Sequence, residues 1–163
     1  MLILGIDPGL TRTGIGLISI NQRNDPELLH YEVIDSTAVS STSSRLIFLF
    51  DRLSALIETY QPTESAMEKL FFQRNITTAL AVSEARGVAT LCLARFGLPI
   101  SEYTPNEVKQ SVSGSGRADK KQVQSMVQLL LGLNEVPQPD DAADALAVAL
   151  CHASHINLRN LME

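Results

Sequence analysis

At 163 residues, 45% of them hydrophobic, the chain can bury one sizeable core, and its composition excludes a low-complexity or fibrous protein. The formal net charge of −5, taken whole, argues against a polyanionic partner. The charge is unevenly spread, however: residues 69–121 carry 8 Lys or Arg against 4 Asp or Glu, so the basic side chains have a region of their own.

In chain order, the apolar run Leu2-Ile3-Leu4-Gly5-Ile6 closing on Asp7 predicts a strand, and Pro8-Gly9-Leu10-Thr11 a turn. Residues 14–20 pair back as a second strand, and residues 28–35 as a third, giving an antiparallel meander. A helix capped by Ser44 follows, with Leu46, Phe50, Leu53, Ile57 and Tyr60 on one face, ended by Gln61-Pro62. Residues 65–71 predict a short strand that carries Glu68 near its end. Residues 76–96 form an Ala-rich helix stopped by Gly97 and Pro99; its thin polar side suits either core packing or contact with a second copy. A strand over 99–103, a helix over 106–112, a flexible Ser-Gly-Ser-Gly loop and helices over 119–131 and 139–155 complete an α/β alternation. We expect a single domain over 1–163. With no secretory signal and no membrane-spanning run, we expect no membrane association and a cytoplasmic location.

Asp7 raises the chemical question, because an ionised carboxylate closing a strand built for a dry interior must be solvated, paired or metal-bound. Glu68 poses it again. In Pro-Asp-Asp-Ala-Ala-Asp-Ala-Leu, Asp141 and Asp144 lie three apart on one helix face and can address a common target. Asp140 reads as the N-cap of that helix. Two acids at strand ends and two on a helix face make an oxygen-rich cluster suited to a hard divalent cation, Mg²⁺ first. Without positive charge, their mutual repulsion would raise their pKa values. Two such ions, about 3.5–4 Å apart, can activate water and stabilise the leaving oxygen in phosphodiester hydrolysis.

Other chemistries are poorly supported. Cys92 and Cys151 have neither disulfide nor zinc-knuckle spacing, and His30, His152 and His155 have no zinc spacing. Arg117-Ala118 follow the glycine-rich loop where a P-loop needs Gly-Lys-Ser/Thr.

The order I-D-P-G, then E-K-L-F-F-Q-R-N, V-K-Q, S-G-S-G-R-A-D-K-K-Q-V and D-A-A-D-A-L-A-V-A closely resembles the RuvC-type Holliday-junction resolvases over nearly the whole chain. The resemblance implies an RNase H-like α/β fold with a mixed five-stranded sheet flanked by helices, a homodimer, and Mg²⁺-dependent symmetrical nicking of four-way junction DNA. It implies two Mg²⁺ per site, with Mn²⁺ as a substitute, and presentation of the junction by the branch-migration proteins RuvA and RuvB. By position, Asp7, Glu68, Asp141 and Asp144 match the family's metal-binding catalytic acids. Phe71 matches its junction-wedging aromatic, and Lys109 and Lys120 its basic residues near the cleaved strand. Where many members read G-Q-A-R-G, this chain has Ser83-Glu84-Ala85-Arg86-Gly87, which adds an acid and keeps Arg86.

Three other readings compete. An actin- or Hsp70-like nucleotide-binding domain shares the Asp7-Pro8-Gly9 turn but needs a second related half. An RNase H-like nuclease for ribosomal RNA precursors needs no E-x-x-F segment. A non-catalytic junction-binding protein would have no use for all four acids.

Overall fold

The computed structural model of the chain describes residues 1–69 and 76–162. Its strands are β1 (Leu2–Asp7), β2 (Arg12–Ile20), β3 (Pro26–Asp35), β4 (Glu64–Glu68) and β5 (Ile100–Tyr103). Its helices are α1 (Thr42–Tyr60), α2 (Ile76–Arg95), α3 (Pro105–Ser113), α4 (Lys120–Leu130) and α5 (Asp140–Met162). The sheet order is β3-β2-β1-β4-β5, antiparallel across β3-β2-β1 and parallel across β1-β4-β5. This is a mixed five-stranded sheet.

β1 sits at its centre and is covered on both faces, which is why it reads as a continuous apolar run rather than an alternation. Ile3 joins α3, α4 and α5 in one core cluster, while Leu4 and Ile6 join α1 and α2 in the other. Fully burying an Ile or Leu is worth about 2 kcal/mol, and Ile3, Leu4 and Ile6 are all buried. Alternation then puts Asp7 on the same face as Ile3, towards α5.

Glycines decide how closely α5 lies. Gly16 pairs with Gly5, and Gly14 with Asp7. A Cβ on Gly16 would stand 2.7 Å from the Leu146 nitrogen, and one on Gly14 would collide with the Asp141 carbonyl. The start of α5 therefore rests directly on the β1-β2 backbone. The turn after Asp7 is fixed as well: Thr13 Oγ1 donates to the Gly9 carbonyl at 2.8 Å, and the Ser36 hydroxyl donates to the carbonyls of Leu10 and Thr11 at 3.2 Å.

Two caps differ from the sequence expectation. Ser41, not Ser44, caps α1, its hydroxyl accepting from the Ser44 N–H at 3.1 Å. Five hydroxyl residues in a row, Ser40 to Ser44, make several of them chemically adequate caps, and the helix starts three residues earlier than expected. Asp140 is the first residue of α5 rather than its cap; the Pro139 carbonyl accepts from Ala142 and Ala143, leaving the Asp140 side chain to bond elsewhere. β4 spans Glu64–Glu68, and residues 70 and 71 of the expected strand lie outside the described residues.

Candidate active site

Because β1 and β4 are parallel, their last residues, Asp7 and Glu68, emerge at the same sheet edge. α5 begins over that edge and presents Asp144. Helix α3, started by the reciprocal Thr104–Glu107 cap with Pro105 in its first turn, supplies Lys109. Helix α4, started by the equivalent Asp119–Gln122 cap, supplies Lys120. Asp7, Glu68, Asp144, Lys109 and Lys120 line one pocket of about 220 Å³, with Val108, Val123 and Ala147 as its apolar wall.

The electrostatics record how crowded these acids are. Burial, then Asp144, Glu68 and Asp141, pushes the Asp7 carboxyl up to about 7, with Lys120 opposing. Burial and the Asp144 charge raise Glu68, with Lys109 opposing. Asp144 is raised by burial and by its acidic neighbours, against the hydrogen bond and charge of Lys120. The Lys120 ammonium donates to Asp144 Oδ2 at 3.0 Å and lies 3.2 Å from Asp140 Oδ2. Burial works against its charge, but these two carboxylates outweigh it and raise its pKa.

Asp141 is placed differently from its three companions. Its Oδ2 pairs with Arg12 Nε at 3.1 Å, at the side of the pocket where β2 begins. Asp140 accepts from Gln124 Nε2 at 3.0 Å as well as from Lys120, and both contacts hold its carboxyl below the usual range. Phe71 lies outside the described residues.

Arg12 and Gln124 were missed in the sequence. Arg12 stands two residues before Gly14, the strand partner of Asp7, so its nearness to the site follows only once β1-β2 pairing is known. Gln124 lies four residues beyond Lys120 on α4, a spacing that brings both to Asp140.

Among the described residues, no three Asp, Glu, His or Cys side chains converge closely enough to hold a metal ion as they stand. Lys120 bridges Asp144 and Asp140, and Arg12 pairs with Asp141. The donor set still fits a hard divalent cation: it is all oxygen, and burial together with neighbouring acids raises the pKa values of Asp7, Glu68 and Asp144.

Comparison with known proteins agrees with this geometry. A family model described as "Crossover junction endodeoxyribonuclease RuvC" matches residues 3–152. The protein of that name from Heliobacterium modesticaldum is 55% identical over 153 residues, 94% of each chain. The Thermus thermophilus RuvC structure superposes with a TM-score of 0.89 at 34% identity, covering 98% of this chain and 97% of that one. The same protein in complex with a Holliday junction substrate gives a TM-score of 0.92 at 34% identity, covering 98% of this chain and 96% of the other. RuvC structures have an RNase H-like fold, and the mixed sheet with helices on both faces is that fold. The chain belongs to the crossover junction endodeoxyribonuclease RuvC family.

Proposed function

We propose that this chain resolves four-way DNA junctions by hydrolysing a phosphodiester in each of two strands, leaving a 5′ phosphate and a 3′ hydroxyl. The observation that carries the reading is the pocket in which Asp7, Glu68 and Asp144 meet Lys109 and Lys120. Family membership and the likeness to a RuvC–junction complex support the substrate.

Asp7, Glu68 and Asp144 would hold divalent cations, Mg²⁺ with Mn²⁺ as substitute, and Asp141 would join them on leaving Arg12. Bound there, the cations supply a more acidic water and charge stabilisation of the departing oxygen. The protein's own residues do the rest. Asp7, at the centre of the cluster, must give up its proton to bind. Lys120, released from Asp144, has an ammonium free for a backbone phosphate. Lys109 lines the same pocket close enough to Glu68 to oppose its raised pKa, so an anionic strand entering the pocket would meet two lysines.

Paired nicks require two sites. The outer face of α2 supports a twofold dimer: Leu80 and Leu91, 60% and 63% exposed, lie three turns apart on one side, with the open Gly87 between them. We further propose that the protein acts in the cytoplasm on junctions presented by RuvA and RuvB, a reading supported by family resemblance alone. Among the described residues no helix is long and apolar enough to cross a membrane.

The test is junction cleavage with and without Mg²⁺, against a linear duplex. Paired nicks at the four-way junction, dependent on the metal, are expected. Asp144→Asn should reduce cleavage to background while leaving junction binding in EDTA within about twofold of the parent. Metal-dependent nicking by that variant would overturn the assignment.

A further inference from the structure

Glu68 sits where the sheet runs out of hydrogen bonds. The parallel ladder between β1 and β4 runs from Ile3 beside Glu64 to Ile6 beside Met67 and goes no further. Beyond Asp7, β1 offers Pro8, which has no N–H to donate. On the other side Lys69 N–H donates to the Tyr103 carbonyl at 2.7 Å and ties β4 to β5. The Glu68 carbonyl would be left without a strand partner. It is met instead by a side chain from α2, on the opposite face of the sheet from the pocket: Arg86 Nη1 donates to it at 2.7 Å.

The other guanidinium nitrogen, Nη2, pairs with Glu102 of β5. Arg86 is only 15% exposed at its side chain and is thus held at both ends of its planar fork. One arm fixes the peptide that follows Glu68, and the other anchors the guanidinium to the neighbouring strand. The direction in which the Glu68 side chain leaves the backbone is set by that peptide.

We propose that Arg86 is a positioning residue: it replaces the strand donor that Pro8 lacks and thereby aims the Glu68 carboxylate into the pocket. The inference rests on the reading of Glu68 as a cation ligand. A partner that orients a metal ligand typically accounts for about 10–100-fold in metal affinity.

The experiment is a calorimetric titration of the DNA-free protein with Mn²⁺ alone, alongside thermal unfolding and junction binding in EDTA. Arg86→Ala should weaken Mn²⁺ binding about tenfold and leave junction binding within about twofold. Arg86→Lys, which keeps the charge and one donor, should recover most of the affinity. Glu68→Gln serves as the reference. If it leaves Mn²⁺ binding untouched, the cation-site reading itself fails. If it weakens binding while a folded Arg86→Ala does not, Glu68 is a ligand and Arg86 merely a structural one's neighbour, which overturns the positioning role. Arg86→Gln, which keeps an amide donor but loses the fork, is read in the same way if the alanine variant does not fold.

Discussion

Asp7 is held near half-ionisation at neutral pH, its carboxyl at about 7 against 3.8 for the free side chain, with burial as the largest cause. The sign of the linkage follows. Between those two values the unfolded chain has released a proton that the folded chain keeps, so the stability associated with the protonated form is complete below 3.8 and lost as pH rises through about 7. In EDTA at pH 8, Asp7→Asn should therefore stabilise the protein by on the order of 2 kcal/mol, allowing for the water that reaches an open pocket. The gap to the parent should close towards pH 4, as followed by urea unfolding. Added Mg²⁺ should stabilise the parent and leave the variant unchanged. The acids themselves could be picked out of the sequence because apolar neighbours made them conspicuous. Their pairing could not: Asp140 looked like a cap, and nothing in the sequence tied Arg12 or Arg86 to the acids, since only strand pairing and helix docking bring a remote guanidinium to Asp141 or to the Glu68 carbonyl.

At the level of elements, α5 owes its close seating to glycines as well as to the packing of its apolar side chains. Gly16→Ala would place a methyl carbon 2.7 Å from the Leu146 nitrogen and 2.8 Å from its Cα, so the helix must lift from β2. A loss of about 1–3 kcal/mol in urea unfolding is expected, as for other overpacked contacts. Cleavage by the folded fraction should fall more than stability alone explains, because Asp144 moves with the helix while Asp7 stays with the strand. Single-turnover cleavage at saturating Mg²⁺ separates the two effects. Element types were readable from periodicity and turn residues, and most ends fell within a few residues. The α1 start slipped because five consecutive hydroxyl residues compete for one cap, and the close seating of α5 was invisible because a glycine in a strand signals a tight approach without naming what approaches.

For the whole molecule, the sheet separates two layers, with the pocket on the α3-α4-α5 side and the apolar stripe of α2 on the other. Leu91→Glu should yield a folded monomer by light scattering, still binding Mn²⁺ but releasing nicked rather than resolved junctions. A dimeric Leu91→Glu protein would move the twofold contact elsewhere. The α/β class followed from the alternation of apolar strands and amphipathic helices. The mixed sheet came only with the family resemblance, and the central place of β1 was not anticipated, since strand order is a tertiary property that no local pattern encodes.

Lys120 has a consequence for how the protein survives between reactions. Its ammonium, on a four-carbon tether, bridges Asp144 and Asp140 and so offsets part of the negative charge at the edge of the pocket. A cation held by Asp144 would displace the lysine, and the ammonium then set loose would be a mobile positive charge at the spot where a sugar-phosphate chain must arrive.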